Sequence, residues 1–269
     1  MVEFWTLGTF ALRTSEGREF ARLLARPKCL AILAFLVAAG RYRFHSRDTL
    51  LGLFWPELDQ EHARLALRQS IHVLRGELGE GVVVTRGALM IGVAEECLWC
   101  DAIAFEDALQ AGNGDRAVEL YRGDFLAGMG LRGVPEFERW LGRERTRLRA
   151  RASAAAWALA DATERLQSPA IAVHWARRAV DLAPDDEQGV RRLVALLDNS
   201  GNSAGALRLY DEFSRHLAAQ YEAAPSPLTR SMAQAIRSRT RVVPGEPALV
   251  GHGMPLDGGY PYAARPKAS

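Results

Sequence analysis

Asp59-Gln60-Glu61-His62-Ala63-Arg64-Leu65-Ala66-Leu67-Arg68-Gln69-Ser70-Ile71-His72-Val73-Leu74-Arg75-Gly76-Glu77-Leu78-Gly79 is the stretch that decides the reading of the amino-terminal region. Asp59 can accept the first free amides of a helix, and Gly79 stands where a helix end favours glycine. Together they predict one helix from Gln60 to about Leu78. At about 100° per residue, Ala63, Leu67, Ile71, Leu74 and Leu78 form one stripe and Arg64, Arg68, His72 and Arg75 the next. One face is built to pack and its neighbour is basic. A helix that lies in a DNA major groove needs that arrangement, because it must be anchored on a core while long cationic donors reach phosphates and base edges. A basic helix taken alone is more often just solvated, so its surroundings decide.

Downstream, Val82-Val83-Val84-Thr85, Arg86-Gly87 and Leu89-Met90-Ile91 read as two strands around a tight turn, with Arg86 placed to enter a minor groove whose floor attracts arginine. Upstream, Ser46 can cap a helix over Arg47 to Trp55 that Pro56 ends. Pro27 and Gly40 bracket another over Lys28 to Ala39, with Leu30, Leu33, Ala34 and Val37 as its core stripe. The segment Arg41-Tyr42-Arg43-Phe44-His45-Ser46-Arg47 joins the two and is either a solvated loop or a phosphate contact at a helix N-terminus. Before all of these, Phe4, Leu7, Phe10 and Leu12 alternate loosely ahead of a Ser15-Glu16-Gly17 turn, which suggests short antiparallel strands. Strands, three helices and a hairpin outline a winged helix-turn-helix over residues 1–95.

From Asp101 the periodicity is helical, with stops at Gly112 to Gly114, Gly123, Gly128 to Gly133, Ser168-Pro169, Pro184, Asn199 to Asn202 and Pro225 to Pro227. Ala170, Ala172 and Ala176 recur 34 residues later as Ala204, Ala206 and Tyr210, the period of tetratricopeptide repeats, in which helix pairs stack because one pair cannot bury its apolar face. The fold class expected is mainly α: a winged helix-turn-helix, then an all-α tetratricopeptide-like domain over 101–240. Residues 243–269 hold ten Gly or Pro and no apolar period, so a disordered tail is expected over 241–269.

Charge supports a nucleic-acid reading only weakly. The whole chain carries a net +2; residues 1–94 hold 12 Lys/Arg against 9 Asp/Glu, and residues 95–242 hold 20 against 21. Arg143, Arg145, Arg147, Arg149 and Arg151 alternate, and a period of two on a helix scatters charge, so a solvated or partner-facing helix is expected there. Trp140, Trp157 and Trp175 fall at apolar helix positions and read as packing residues rather than a ligand cage. No start resembling a signal peptide and no apolar run of about 20 residues is present, so a soluble, cytoplasmic protein is expected.

Three cysteines argue against a disulfide framework. Cys97-x-x-Cys100 could be half a zinc site or a redox pair, but no second ligand pair follows it, and reduced structural thiols are the better reading. No G-x-S-x-G, H-E-x-x-H or G-x-x-x-x-G-K-[S/T] occurs, and neither a catalytic role nor a cofactor is expected.

The motifs Arg26-Pro27-Lys28, His45-Ser46-Arg47-Asp48-Thr49-Leu50, Phe54-Trp55-Pro56-Glu57, Ala66-Leu67-Arg68-Gln69 and Leu74-Arg75 together resemble the OmpR-like winged helix of SARP-type (antibiotic regulatory protein) regulators. Ala117-Val118-Glu119-Leu120-Tyr121-Arg122-Gly123-Asp124-Phe125-Leu126, Phe137-Glu138-Arg139-Trp140, Leu182-Ala183-Pro184-Asp185-Asp186-Glu187 and Pro225-Ser226 resemble their bacterial transcriptional activator domain. The resemblance spans about residues 1–240. It implies that the third helix reads promoter repeats in double-stranded DNA through Arg64, Arg68, Gln69, His72 and Arg75, with Arg86 on the wing; Arg43 and Arg47 are added from the basic segment. It also implies that the helical domain supports homodimerisation or contacts RNA polymerase. Val73 departs from the pattern, where OmpR-like relatives often carry a basic residue. That departure and the small net charge motivate the alternative, a tetratricopeptide-type adaptor whose winged helix has little DNA affinity.

Overall fold

The computed structural model describes residues 1–240; the tail expected to be disordered lies outside them. β1 (Val2–Trp5) and β2 (Ala11–Thr14) pair antiparallel with Phe4 opposite Leu12, and both side chains are wholly buried. β6 (Leu98–Cys100) completes this sheet by running parallel to β1. Parallel neighbours need a long crossover, and here everything between the two strands supplies it.

That crossover is the winged helix. After a single turn, α1 (Ala21–Leu24), come α2 (Pro27–Ala38), β3 (His45–Ser46), α3 (Arg47–Phe54), α4 (Gln60–Leu78), β4 (Val83–Arg86) and β5 (Met90–Val93), with β3, β5 and β4 forming a second small sheet. Helix α2 is more enclosed than its sequence stripe suggests, since every residue from Cys29 to Val37 is buried. A helix apolar all round must be covered all round. The winged helix covers one side, and the helical domain reaches the other through Trp140, whose ring centroid lies 5.0 Å from that of Phe35. Phe54 of α3 meets Phe137 at 5.3 Å in the same aromatic layer. One continuous core therefore joins the two halves. A fully buried phenylalanine contributes about 2–3 kcal/mol to such a core by leaving water.

The helical domain runs α5 (Asp101–Gln110), α6 (Gly114–Leu120), α7 (Pro135–Arg165), α8 (Pro169–Leu182), α9 (Glu187–Asn199), α10 (Ser203–Tyr221) and α11 (Pro227–Thr240). Its breaks fall at the glycines, prolines and asparagines seen in the sequence. The side chains of Asn113, Asp186 and Asn202 each accept a free amide at the start of the following helix. Helices α8 and α10 begin 34 residues apart, and Ala172, Ala176 and Ala206 are wholly buried, small enough for the helices to stack closely. The second helices, α9 and α11, do not keep the period, because α10 is 19 residues long where α8 has 14.

Of the five alternating arginines of α7, Arg143, Arg147 and Arg149 are exposed, as a solvated helix would have them, but four of the five also make contacts within the chain. Arg145 donates to the carbonyls of Phe125, Leu126 and Met129, at 2.8, 2.6 and 3.1 Å. Arg149 pairs with Asp124, Arg147 with Glu106 and Glu144, and Arg151 with Glu106. The physical reason lies in helix geometry: positions 145 and 149, and 147 and 151, are each one turn apart, so the run makes two stripes on opposite sides of the helix. Both stripes bind loops and helices of the same chain. Trp140, Trp157 and Trp175 pack against core clusters as their positions implied, and Trp157 also carries the guanidinium of Arg192 over its ring at 4.4 Å.

Candidate nucleic-acid interface

Helix α4 begins where Asp59 accepts the amides of Glu61 and His62, at 3.1 and 3.0 Å, and ends at Gly79, whose φ of 105° suits a residue without a side chain. Ala63, Leu67, Ile71, Leu74 and Leu78 are its buried residues, the same five that form the apolar stripe of the sequence. That stripe docks on α2 and α3 and turns Arg64, Arg68, Gln69 and His72 outward, all four exposed.

The remaining sequence-selected residues divide. Arg75 is half-buried, and its Nε donates to the carbonyl of Val83 at 2.8 Å, so it ties α4 to the first strand of the wing. Arg47 makes the corresponding tie from α3, its Nε donating to the carbonyl of Ala88 at 2.8 Å in the wing turn. Arg86 is exposed and rests with its guanidinium 4.4 Å from the centre of the Phe44 ring. Phe44 in turn lies flat on β5 because residue 92 is glycine; a Cβ there would meet the ring at 3.1 to 3.3 Å. The wing arginine is thus held over an aromatic plate before any ligand arrives.

The basic segment between α2 and α3 is not one surface. Arg41 pairs with Asp107 of α5, Tyr42 donates to the carbonyl of Leu98 at 2.9 Å, and His45 packs its ring 4.8 Å from Phe35. Burial pushes the His45 imidazole pKa below its ordinary value. Arg43 stays exposed. Ser46 caps α3, its Oγ accepting the Thr49 amide at 3.0 Å, which occupies one of the amides a phosphate would need.

Two cations that the sequence reading did not assign to the interface flank α4. Arg22 and Arg26 line a cleft with Ala25, His72, Val73, Gly76 and Glu77. Arg22 makes only a long contact with Glu77, 3.7 Å, and its side chain is 86% exposed. Val73 itself is half-buried, packed in part against the core and in part lining this cleft. Its neighbours across the cleft supply the positive charge instead. The sequence signal was the i, i+4 spacing of Arg22 and Arg26 just before Pro27.

Cys97 immediately precedes β6 and Cys100 is its last residue. Cys100 is buried and its thiol is pushed up to about 12 by burial and by the neighbouring Asp101, which disfavours the thiolate that metal binding or redox exchange requires. Asp101 has a structural task. Its carboxylate accepts the amides of Thr6 and Leu7 at 2.8 and 2.9 Å and the Thr6 hydroxyl at 2.6 Å, joining the start of α5 to the first sheet. Among the described residues, no three His, Cys, Asp or Glu side chains gather in a way that could hold a metal ion. No described helix is long and apolar enough to cross a membrane.

The family model "bacterial transcriptional activator domain" matches residues 100–237. Among solved structures the chain is similar to Mycobacterium tuberculosis EmbR in complex with a low affinity phosphopeptide, at TM-score 0.58 and 21% identity, over 88% of this chain and 65% of that one. The chain therefore spans less than two thirds of the length of that protein. No curated protein sequence matches it. The chain belongs to the bacterial transcriptional activator domain family, and its architecture is that of the SARP-type regulators.

Proposed function

We propose that this protein is a sequence-specific double-stranded DNA-binding transcription regulator acting as an activator. Residues 1–95 engage promoter repeats, and residues 101–240 serve dimerisation or contact with RNA polymerase. The observation that carries the reading is the division of α4. Its apolar stripe is wholly engaged in the core, while Arg64, Arg68, Gln69 and His72 are exposed beside a wing that ends in Arg86. Arg64 and Arg68 supply phosphate or guanine contacts, Gln69 can pair with an adenine edge, and Arg86 and Arg43 add backbone contacts. Arg47 and Arg75 act first as ties that hold the wing against α3 and α4; the guanidinium nitrogens beyond those ties are the ones available to phosphate.

The adaptor reading loses part of its motivation, because the missing cation at Val73 is matched by Arg22 and Arg26 across the cleft. The deciding experiment compares binding to the DNA upstream of the protein's own gene with binding to a scrambled duplex of equal length, each at two salt concentrations. A preference for the upstream duplex that survives the higher salt supports the proposal. Equal, weak binding to both that vanishes with salt would count against specific recognition there.

A further inference from the structure

The exposed face of α4 has an apolar centre. Projected at about 100° per residue, Leu65 lies opposite the buried stripe, and Gln69, His72 and Gly76 fall within about 40° of it. Arg68 and Arg64 stand about 60° and 100° to one side. On the other side, at the angle of Val73, the cleft is lined by Arg22 and Arg26. Leu65 is 47% exposed and shares a shallow concavity with Gln60, Glu61, Arg64 and Arg68. A leucine gains nothing from water at such a position. Gln69, His72 and Gly76 continue the strip along the helix and Glu61 stands one turn before it; Arg64 and Arg68 run along one edge, and Arg22 and Arg26 border the other edge towards the end of α4.

That pattern matches a major groove in section, where phosphates form the two rims and base edges the floor. With Arg64 and Arg68 at one rim beside it and Arg22 and Arg26 at the other rim further along the helix, Leu65 stands over the floor. The chemistry there that an aliphatic side chain can recognise is the 5-methyl group of thymine, which the other bases lack. Gln69, one turn further along the same strip, offers the amide that pairs with the N6 and N7 edge of adenine. Resting on the DNA-binding reading above, we propose that Leu65 is a specificity-determining residue that packs on a thymine methyl, so that each half-site carries an A·T pair beneath the first two turns of α4. Arg22 and Arg26 hold the phosphates of the rim opposite Arg64 and Arg68.

The test uses the full-length protein and a duplex it selects from a random-sequence pool. Each thymine of that duplex is replaced in turn by deoxyuridine, which removes the methyl group and nothing else, and affinity is read by fluorescence anisotropy. Binding by the unaltered protein is expected to weaken about fourfold at one thymine per half-site, the effect of returning one buried methyl to water. Leu65→Ala should bind thymine and uracil duplexes equally at that position, and Leu65→Met should restore the difference. Because Leu65 is exposed, the thermal melting of both variants should match that of the original protein, which confirms that the fold is not at issue. Arg22→Ala with Arg26→Ala should lower the salt slope by about two without changing the uracil effect. A selected duplex bound tightly with no uracil-sensitive thymine, or one whose sensitivity survives in Leu65→Ala, overturns the assignment of Leu65. Failure to enrich any sequence from the pool overturns the DNA-binding reading itself.

Discussion

Two long helices of this protein, α4 and α7, are both rich in arginine, and they use it in opposite ways. On α4, Arg64 and Arg68 extend from a helix whose other face is fully docked, and both are exposed. On α7, Arg145, Arg147, Arg149 and Arg151 are all engaged by carbonyls or carboxylates of the same chain. The difference teaches that a basic helix says little about a nucleic-acid surface until its internal acceptors have been counted. It also explains how a chain with a net charge of only +2 can present a cationic face: the acids of the helical domain neutralise that domain's own arginines and leave those of the winged helix unbalanced.

Substitutions can break this contrast, and the largest effect is expected at Arg145. Arg145→Met should lower the free energy of unfolding by about 2–4 kcal/mol, because three carbonyls lose their donor in a partly buried loop. Denaturant melts would measure it, and a loss under about 0.5 kcal/mol would mean that α7 does not staple the loop between α6 and α7. Asp101→Ala comes next, at about 2–3 kcal/mol, since two buried amides and a hydroxyl lose their acceptor. Burial pushes the Asp101 carboxyl pKa up in spite of those three donors, so the carboxylate is already held against a desolvation cost.

On α4 the same kind of change should leave stability alone and strike binding. Arg68→Ala is expected to change unfolding by less than about 0.5 kcal/mol. Its DNA affinity should fall by about 1–3 kcal/mol if the residue reads a base, or its salt slope by about one if it holds a phosphate. Arg75→Ala should show both effects in small measure, about 1 kcal/mol of stability from the lost bond to Val83 and a modest loss of affinity as the wing loosens. The smallest effect is expected at Arg149, whose partner Asp124 is also well solvated: Arg149→Ala should cost under about 1 kcal/mol in a melt and nothing in DNA affinity.

How much of this was legible in the sequence depended on how local the determinant was. Helix α4 carries its own start, stop and buried stripe in 21 consecutive residues from Asp59 to Gly79, and the structure reproduces it from Gln60 to Leu78. The helical domain was legible for the same reason, because each helix is punctuated by its own glycine, proline or asparagine. Strand β6 was not, since it is three residues long and its partner is β1, some 95 residues earlier. The intrachain contacts of the α7 arginines were hidden likewise, as apart from Glu144 beside Arg147 their acceptors lie 16 to 45 residues away. Within the candidate interface the sequence identified which helix faces outward but not which of its cations are spent internally. Arg75 and Arg47 are held by carbonyls of the wing, and Arg41 by Asp107. Nor could a wheel drawn for one helix reveal that Arg22 and Arg26 border it from another.

The most direct test of the central claim is the salt dependence of binding to a selected duplex, measured for the original protein and for Arg64→Ala with Arg68→Ala. If α4 is the DNA-contacting helix and both arginines hold phosphates, the slope of log affinity against log salt falls by about two while the melting temperature stays unchanged. An unchanged slope and unchanged affinity in the folded double variant would contradict the account and remove this face of α4 from the interface.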